Sequence, residues 1–466
     1  MGKARRSLRF EILRLFTPLV ALLALARTGG GVESATVVLS DFHAYYWNLT
    51  NANAPWSGRT GHVALDFRGQ LWVLGGSIAL NPDNSVNDEW NSVDGTNWIQ
   101  ASAAAPWSAR TEHAAVVFQE KMWVASGRSA SDLTLFNDLW SSPDGLHWDP
   151  GVSPVPWSTR EGVAVAANGD NLYLLGGQHY GTFLAEIWRL NLNLEWVAVA
   201  PPVPWASRSQ HQSLWFHDTL WVLGGVHFEG STSVWLELND VWNSPDGSSW
   251  TQATPHAGWH GRNSHTATVF DNRLWVLGGT YIEGVGPGSH LVTLNDVWYS
   301  ENGADWHQAP DAPWAARSGH AALAFAGKLW VLGGTTIRNH DFELLNDVWC
   351  LTPVPMSIEA EHASPYQVGE ALTLHVAGPG LPPGVTYQWM KDGVALAGES
   401  SDRYHLAAAA EGATGSYTCE IGGSAFGTAG PAVIVVSAAQ RVPVGAAVLG
   451  GAALGVLFLG ARRLRR

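Results

Sequence analysis

Tryptophan recurs at fixed distances along this chain, in a pattern that repeats six times. Each repeat opens with Pro-Trp-x-x-Arg or, once, Gly-Trp-x-x-Arg, at Trp56, Trp107, Trp157, Trp205, Trp259 and Trp314. Twenty residues later stands a glycine, usually the second of a Gly-Gly pair: Gly76, Gly127, Gly177, Gly225, Gly279 and Gly334. A further Trp follows, at Trp90, Trp140, Trp188, Trp242, Trp298 and Trp349. The period of 48 to 55 residues indicates a repeat architecture with one structural unit per repeat.

Each repeat predicts four short strands, a to d. Strand a follows the arginine, strand b precedes the Gly-Gly pair, strand c ends at the next Trp, and strand d contains a Trp eight residues further on. Asp-Gly within Ser-Pro-Asp-Gly, at 142–145 and 244–247, predicts a type I′ hairpin between strands c and d. One such unit cannot bury both of its faces, so the units are expected to stack around an axis.

The last repeat lacks a strand d after Trp349. Trp47 precedes Trp56 by nine residues, the distance from the strand d Trp to the next repeat in most of the others. Residues Tyr45–Leu49 are therefore predicted to supply the missing strand and to close a ring of six units, which removes exposed sheet edges.

Residues 41–352 resemble kelch repeats in their Gly-Gly pair, the downstream aromatic residue and the later Trp. The resemblance implies an all-β fold, a six-bladed kelch-type β-propeller. The Ser-x-Asp-Gly-x-x-Trp hairpins also look like a shortened Asp box, a structural turn of sialidases and related propellers.

Residues 353–437 are predicted to form a second domain, because the tryptophans fall to one, Trp389. Trp389-Met-Lys-Asp-Gly followed by Ser-Tyr417-Thr-Cys419 resembles the C and F strands of an immunoglobulin-like β-sandwich. The position of the partner cysteine is occupied by Val376, so the resemblance implies a buried thiol at Cys419 and no disulfide between the sheets. A spacer between propeller and membrane is expected.

Both ends of the chain are hydrophobic. Residues 1–26 show the basic start, apolar run and Ala-x-Ala site of a signal peptide. Residues 441–466 contain an uncharged apolar stretch followed by four arginines, which predicts a C-terminal membrane helix. The order of Val-Pro, apolar helix and arginine cluster resembles the PEP-CTERM-like sorting signals that exosortase-type enzymes recognise. Both ends are thus expected to be targeting helices of an exported protein, membrane-tethered or sorted to the cell envelope.

Charge excludes one class of partner. Outside residues 1–26 and 444–466 the chain carries 17 basic and 39 acidic residues, a net charge of −22. Such a surface repels nucleic acid. No metal or cofactor is expected, because the repeated histidines are too regular and no His/Asp/Glu cluster has metal-ligand spacing.

A ligand site is expected on the face that carries the b–c and d–a loops. Almost all length variation between repeats lies in the b–c loops, and variable loops on a rigid scaffold often bind ligands. The same face carries one arginine per repeat, suited to carboxylates: Arg59, Arg110, Arg160, Arg208, Arg262 and Arg317. In peptide-binding kelch domains such arginines line the pocket. The alternative is that each arginine pairs with an acidic residue near the strand c Trp.

Residues that depart from the repeat are further site candidates: His179, His227, Trp235 and Tyr281. Aromatic side chains with nearby carboxylates suit sugar stacking or a protein partner. The sequence therefore predicts a surface-tethered, non-catalytic protein that binds a carbohydrate or a protein. The alternatives are a sialic-acid-processing enzyme, of the kelch-type epimerase or sialidase-like kind, and a structural matrix or envelope protein.

Overall fold

The computed structural model describes residues 43–80, 83–151, 155–199, 203–229, 234–284, 288–338 and 341–437. Within these ranges the protein is built of β-strands, with a 3-10 turn at Glu411–Ala413. The predicted targeting segments and terminal helices, at 1–26 and 441–466, lie outside the described residues. Within the described ranges, no helix is long and apolar enough to span a membrane.

Most of the described chain folds into six antiparallel sheets that follow one another along the sequence. The first described strand is β1 (His43–Asn51). Blade one contains β2 (Val63–Phe67), β3 (Gln70–Leu80), β4 (Asp83–Ser92) and β5 (Ile99–Ser102). Blade two contains β6 (Ala114–Phe118), β7 (Lys121–Ala125), β8 (Leu139–Ser142) and β9 (Asp149–Pro150). Blade three contains β10 (Ala164–Ala167), β11 (Leu172–Leu175), β14 (Ile187–Leu190) and β15 (Trp196–Val199), with the small hairpin β12 (Gln178–His179) and β13 (Thr182–Phe183).

The remaining three blades have longer b–c hairpins. Blade four contains β16 (Gln212–Phe216), β17 (Thr219–Glu229), β18 (Val234–Ser244) and β19 (Thr251–Thr254). Blade five contains β20 (Thr266–Phe270), β21 (Arg273–Glu283), β22 (His290–Ser300) and β23 (His307–Ala309). Blade six contains β24 (Ala321–Phe325), β25 (Lys328–Arg338) and β26 (Asp341–Pro355). The sixth blade takes its fourth strand from β1, which precedes the first blade in the sequence. Strand β1 pairs with β26 in antiparallel register, with Trp47 opposite Leu351 and Leu49 opposite Trp349.

Packing between neighbouring blades explains the Gly-Gly pair. Gly75 and Gly76 have φ of +59° and +97°, which favour glycine. A Cβ on Gly75 would lie 3.0 Å from Cε1 of His113 in the next blade, and one on Gly76 would lie 2.7 Å from Cβ of His62. The pair therefore allows strand b to approach the histidines of two strands a.

The turns between strands c and d differ from the prediction of type I′ hairpins. In the turn at 142–145 only the glycine of the Asp-Gly pair has a positive φ, +79° at Gly145. Asp144 instead accepts backbone hydrogen bonds from Leu146 at 2.9 Å and His147 at 2.8 Å. A Cβ on Gly145 would lie 2.3 Å from the ring of Trp72, so the turn covers a tryptophan of the preceding blade.

A closed ring of backbone hydrogen bonds surrounds the central axis. One residue just before each strand a donates its N–H to the carbonyl of its counterpart in the preceding blade, over 2.8 to 3.3 Å. The six residues have positive φ, between 50° and 61°: Gly61, Glu112, Gly162, Gln210, Ser264 and Gly319. The ring fixes all six strands a to one another, and a cavity of about 260 Å³ lies between them.

The C-terminal part of the described chain forms two further sheets that pack as a sandwich. One contains β27 (Ser357–Ala360), β29 (Leu372–Ala377) and β32 (Arg403–Leu406). The other contains β30 (Val385–Lys391), β31 (Val394–Ala395), β33 (Gly415–Gly423) and β34 (Phe426–Ile434), while β28 (Tyr366–Gln367) pairs with β35 (Val436–Ser437). Strand β34 also pairs with β1, so the second sheet continues the sixth blade.

The sandwich fills a gap that the sixth blade leaves. Because strand β26 leads into the sandwich, blade six has no c–d turn to cover the buried Trp275 of blade five. Tyr45 takes that place, with its ring 5.6 Å from Trp275, and Phe426 stacks on Tyr45 at 5.4 Å. Arg273 donates to the Tyr45 hydroxyl at 2.8 Å, and that hydroxyl donates to Asp271.

We expect Phe426→Ala to destabilise the propeller as well as the sandwich. Removing this half-buried ring should cost about 2 kcal/mol, less than the roughly 3–5 kcal/mol of a fully buried phenylalanine. Urea unfolding monitored by tryptophan fluorescence measures the change. This signal reports chiefly on the propeller, because Trp389 is the one tryptophan of residues 353–437. The control is Val394→Ala, at an exposed edge position. Equal unfolding midpoints for the two variants would show that the ring does not support the blade.

Blade one carries an unusual buried carboxyl group. Glu89 is fully buried in strand β4, where blades four, five and six have the buried valines Val241, Val297 and Val348. Burial raises the pKa of Glu89 to about 8, and the charges of Asp88 and Asp144 add to the rise. The side chain is therefore held neutral at physiological pH in a site suited to an aliphatic residue.

We expect Glu89→Val to stabilise the protein by about 1–3 kcal/mol at pH 8, because it removes a poorly solvated polar group. In the wild type the unfolded chain loses the Glu89 proton near pH 4.5 and the folded chain only near pH 8. Glu89 therefore lowers stability progressively as the pH rises through that window.

Urea unfolding at pH 5 and pH 8 separates these effects. The gain from Glu89→Val should be larger at pH 8, whereas Glu420→Val, at an exposed strand position, should show no such increase. A gain that shrinks as the pH rises would contradict the assignment.

Candidate functional site

The six predicted arginines lie inside the blades and are fully buried. In blade four, Arg208 donates to both oxygens of Asp240, at 2.7 and 2.8 Å, and to the carbonyl of Gly224 at 2.9 Å. The same arrangement joins Arg59 to Asp88, Arg110 to Asp138, Arg262 to Asp296 and Arg317 to Asp347, and Arg160 pairs with Glu186. The structure thus corrects the interpretation of these arginines as a ligand-binding ring, since they form ion pairs within each blade.

The backbone of each arginine joins two blades. Arg208 donates its N–H to the carbonyl of Leu184 at 3.0 Å and accepts the N–H of Gly177 at 2.9 Å, both in the preceding blade. Equivalent pairs occur at all six junctions. The arginine side chain therefore joins strands b and c of its own blade, and the arginine backbone joins that blade to the preceding one.

Buried histidines lie next to these arginines. His113 and His265 have pKa values lowered to about 3, first by burial and second by the charges of Arg110 and Arg262. The pKa values of His62, His211 and His320 are lowered for the same two reasons. These rings are neutral packing groups between blades. Within the described ranges, no group of three His, Cys, Asp or Glu side chains is arranged to hold a metal ion.

Aromatic side chains gather on the b–c hairpins of blades three, four and five. Trp235 is 50 % exposed on the blade four hairpin. The ring of Phe183, from blade three, contacts Trp235 edge to face at 5.6 Å, and Phe228 lies 5.3 Å from Trp235 on its own hairpin. Trp235 is thus held by rings from two blades, and half of its surface faces solvent.

Two further aromatic residues extend this region. Tyr180 is 68 % exposed at the tip of the blade three hairpin, against the ring of His179 at 4.9 Å. Tyr281 of blade five stacks on His260 at 3.8 Å. We call Tyr180, Phe183, Phe228, Trp235 and Tyr281 the hairpin surface.

The other predicted site residues support this surface. His227 donates a hydrogen bond from Nδ1 to the carbonyl of Ser207 at 2.7 Å, and His179 donates one from Nδ1 to the carbonyl of Thr159 at 2.8 Å. These contacts fix each hairpin to the loop that precedes strand a of its own blade. Of the four departures from the repeat, Trp235 and Tyr281 belong to the hairpin surface, and the two histidines anchor hairpins.

Sequence reasoning missed Phe183 as a site residue. It lies in the shortest b–c loop, where length variation gave no signal, and only its departure from the repeat could have marked it.

Trp215, also outside the repeat, has a packing role instead. Its ring stacks on Tyr173 at 5.9 Å, and Tyr173 stands where the other five blades have a tryptophan.

We expect Arg208→Ala to destabilise the protein by about 3–5 kcal/mol, because it leaves Asp240 without its partner in a largely buried site. The control is Arg338→Ala, since Arg338 pairs with Glu343 at 3.1 Å but is 60 % exposed. That change should cost no more than about 1 kcal/mol. Urea unfolding measures both, and similar losses would argue against the structural role of the buried pair.

Three comparisons with known proteins bear on the fold. The family model for the KLHDC2/KLHL20/DRC7 Kelch-repeats domain matches residues 26–225. Tip elongation aberrant protein 1 of Schizosaccharomyces pombe (strain 972 / ATCC 24843) is 29 % identical over 93 residues, which cover 20 % of this chain and 8 % of that protein. The solved structure of YjhT superposes with a TM-score of 0.51 at 13 % identity, covering 66 % of this chain and 97 % of that one.

The matches agree with the geometry of the blades. The sequence match to the curated relative spans only a small part of that protein, and the likeness to YjhT concerns the fold alone. Together with the repeated four-stranded sheets, they confirm that the protein contains a kelch β-propeller.

Proposed function

We propose that this protein is a non-catalytic binding protein that holds a carbohydrate on the hairpin surface. The observation that supports this most directly is the half-exposed ring of Trp235, held between Phe183 and Phe228. A large aromatic side chain fixed in place but open to solvent loses little conformational freedom on binding. Its face suits the apolar face of a sugar ring.

The arginines weigh against the enzymatic alternative. A sialic-acid-processing enzyme would need guanidinium groups that reach the substrate carboxylate. The six repeat arginines are fully buried and bonded to carboxylates of their own blades. Binding on the hairpins is therefore the better supported use of this face.

The remaining domains fit a surface protein. The sandwich has the fully buried Trp389 and the Tyr417 hydroxyl bonded to the carbonyl of Ala413 at 2.8 Å, features that support an immunoglobulin-like domain. We propose that it is a spacer, and that the segments at 1–26 and 441–466 direct export and tethering, with processing by an exosortase-type enzyme. The acidic surface supports a role without nucleic acid.

A protein ligand is the second candidate, because aromatic residues fixed on hairpins also form the centres of protein interfaces. A matrix protein would use the same face to contact another envelope component. The binding experiment therefore distinguishes a glycan from a protein ligand.

We expect full-length protein, purified in mild detergent, to bind a subset of glycans on an array. Trp235→Ala should weaken that binding at least tenfold, because truncation of a central aromatic residue costs about 2 kcal/mol or more and about 1.4 kcal/mol corresponds to a factor of ten. The matched control is Phe342→Ala, a 54 % exposed aromatic residue on the blade six hairpin, which should retain binding. If no glycan binds, and the wild type but not Trp235→Ala captures a protein from envelope extracts, the ligand is a protein and not a carbohydrate.

A further inference from the structure

We infer that the ligand of the hairpin surface is an uncharged glycan, an inference that rests on the proposed function. The segments between the Gly-Gly pair and the strand c Trp of blades three, four and five span 178–187, 226–241 and 280–297. They contain no lysine or arginine. Three of their carboxyl groups, Glu186, Asp240 and Asp296, pair with the buried arginines, and Glu229, Glu237 and Glu283 add negative charge beyond those pairs.

The basic groups beneath these hairpins are already neutralised. Arg160, Arg208 and Arg262 are fully buried against carboxylates of their own blades, at 2.8, 2.7 and 2.6 Å. At the neighbouring edge Arg128 contacts Glu161 at 2.6 Å. A glycan bearing carboxylates or sulfates would therefore approach a surface with excess negative charge, and like charge at an interface opposes binding.

The carboxylates suit the hydroxyl groups of a neutral sugar. Glu283 is exposed and lies 3.1 Å from His290, and Glu229 is exposed at the end of strand β17. Glu237 accepts the backbone N–H of Ile282 at 3.3 Å, which joins the hairpins of blades four and five. Carboxylate oxygens accept several hydrogen bonds, and those from hydroxyl donors are short and strong. Aromatic faces beside such acceptors complement a pyranose, which has both an apolar face and hydroxyl edges.

The decisive experiment compares neutral hexasaccharides with the same chains oxidised at C6, so that each pair differs only in the carboxylate. Full-length protein in detergent is titrated with every pair by calorimetry. We expect the neutral member to bind at least tenfold more tightly, and Trp235→Ala to remove that binding. Raising NaCl from 50 to 500 mM should change the neutral affinity less than twofold, because no ion pair forms.

The outcomes separate the two proposals. Equal or tighter binding of the oxidised members would overturn the inference of an uncharged ligand while leaving glycan binding intact. Failure of the wild type to bind any member of any pair would overturn the proposed function itself.

A charge-reversal variant tests the cause of the selectivity. Glu229→Lys combined with Glu283→Lys should strengthen binding of the oxidised members by about tenfold. Glu343→Lys, on the blade six hairpin, should leave their binding unchanged. If the double variant gives no increase, the hairpin carboxylates do not set the charge preference and the inference fails.

Discussion

The buried arginine before each strand a is the interaction on which the propeller depends. Its side chain joins strand b and strand c of its own blade, and its backbone pairs with the preceding blade at both N–H and C=O. Removing a charge of this kind from water is costly, and the cost is offset only where the partner geometry is good. The paired Nη–Oδ contacts of 2.6 to 3.0 Å meet that condition in the five blades that use aspartate. The same requirement explains the Gly-Gly pair, because the first glycine supplies a carbonyl to the arginine and the second donates its N–H to the next arginine backbone.

Closure makes the sandwich part of this framework. A ring built from one chain must join its ends, and here strand β1 lies between β26 and β34, paired with both. The blade that contains the junction cannot have a c–d turn, so Tyr45 and Phe426 cover Trp275 in its place. The second domain therefore has a fixed attachment to blade six, and Gly427 illustrates how close that attachment is. A Cβ on Gly427 would lie 2.1 Å from the carbonyl oxygen of His43.

Repeated features could be predicted from the sequence because spacing alone reports them. Six repeated blades could be predicted from the tryptophan and glycine intervals, their kelch type from the resemblance of the motifs, and the pairing of β1 with β26 from the interval at Trp47. Features that arise between distant segments left no such signal. The contact of Phe426 with Tyr45 joins residues far apart in the sequence, and Phe183 meets Trp235 only because blades three and four are neighbours. The type I′ prediction failed because a dipeptide preference ignores the Asp144 side chain, which caps the turn itself.

The separation of framework from hairpins is what points to a binding surface. Where a residue recurs from blade to blade, the structure shows a packing or pairing requirement that those blades share, as for the arginines of six blades and the histidines of five. A residue free of that requirement is free to serve a ligand, and Trp235 is such a residue, since it is absent from the repeat and half exposed. The same reasoning applies to charge. The framework arginines are bound to framework carboxylates, so the net charge of the face is set by the hairpins, and the hairpins of blades three to five carry carboxylates with no lysine or arginine. The hairpin surface thus combines fixed aromatic rings with hydrogen-bond acceptors, and its chemistry is independent of the interactions that hold the blades together.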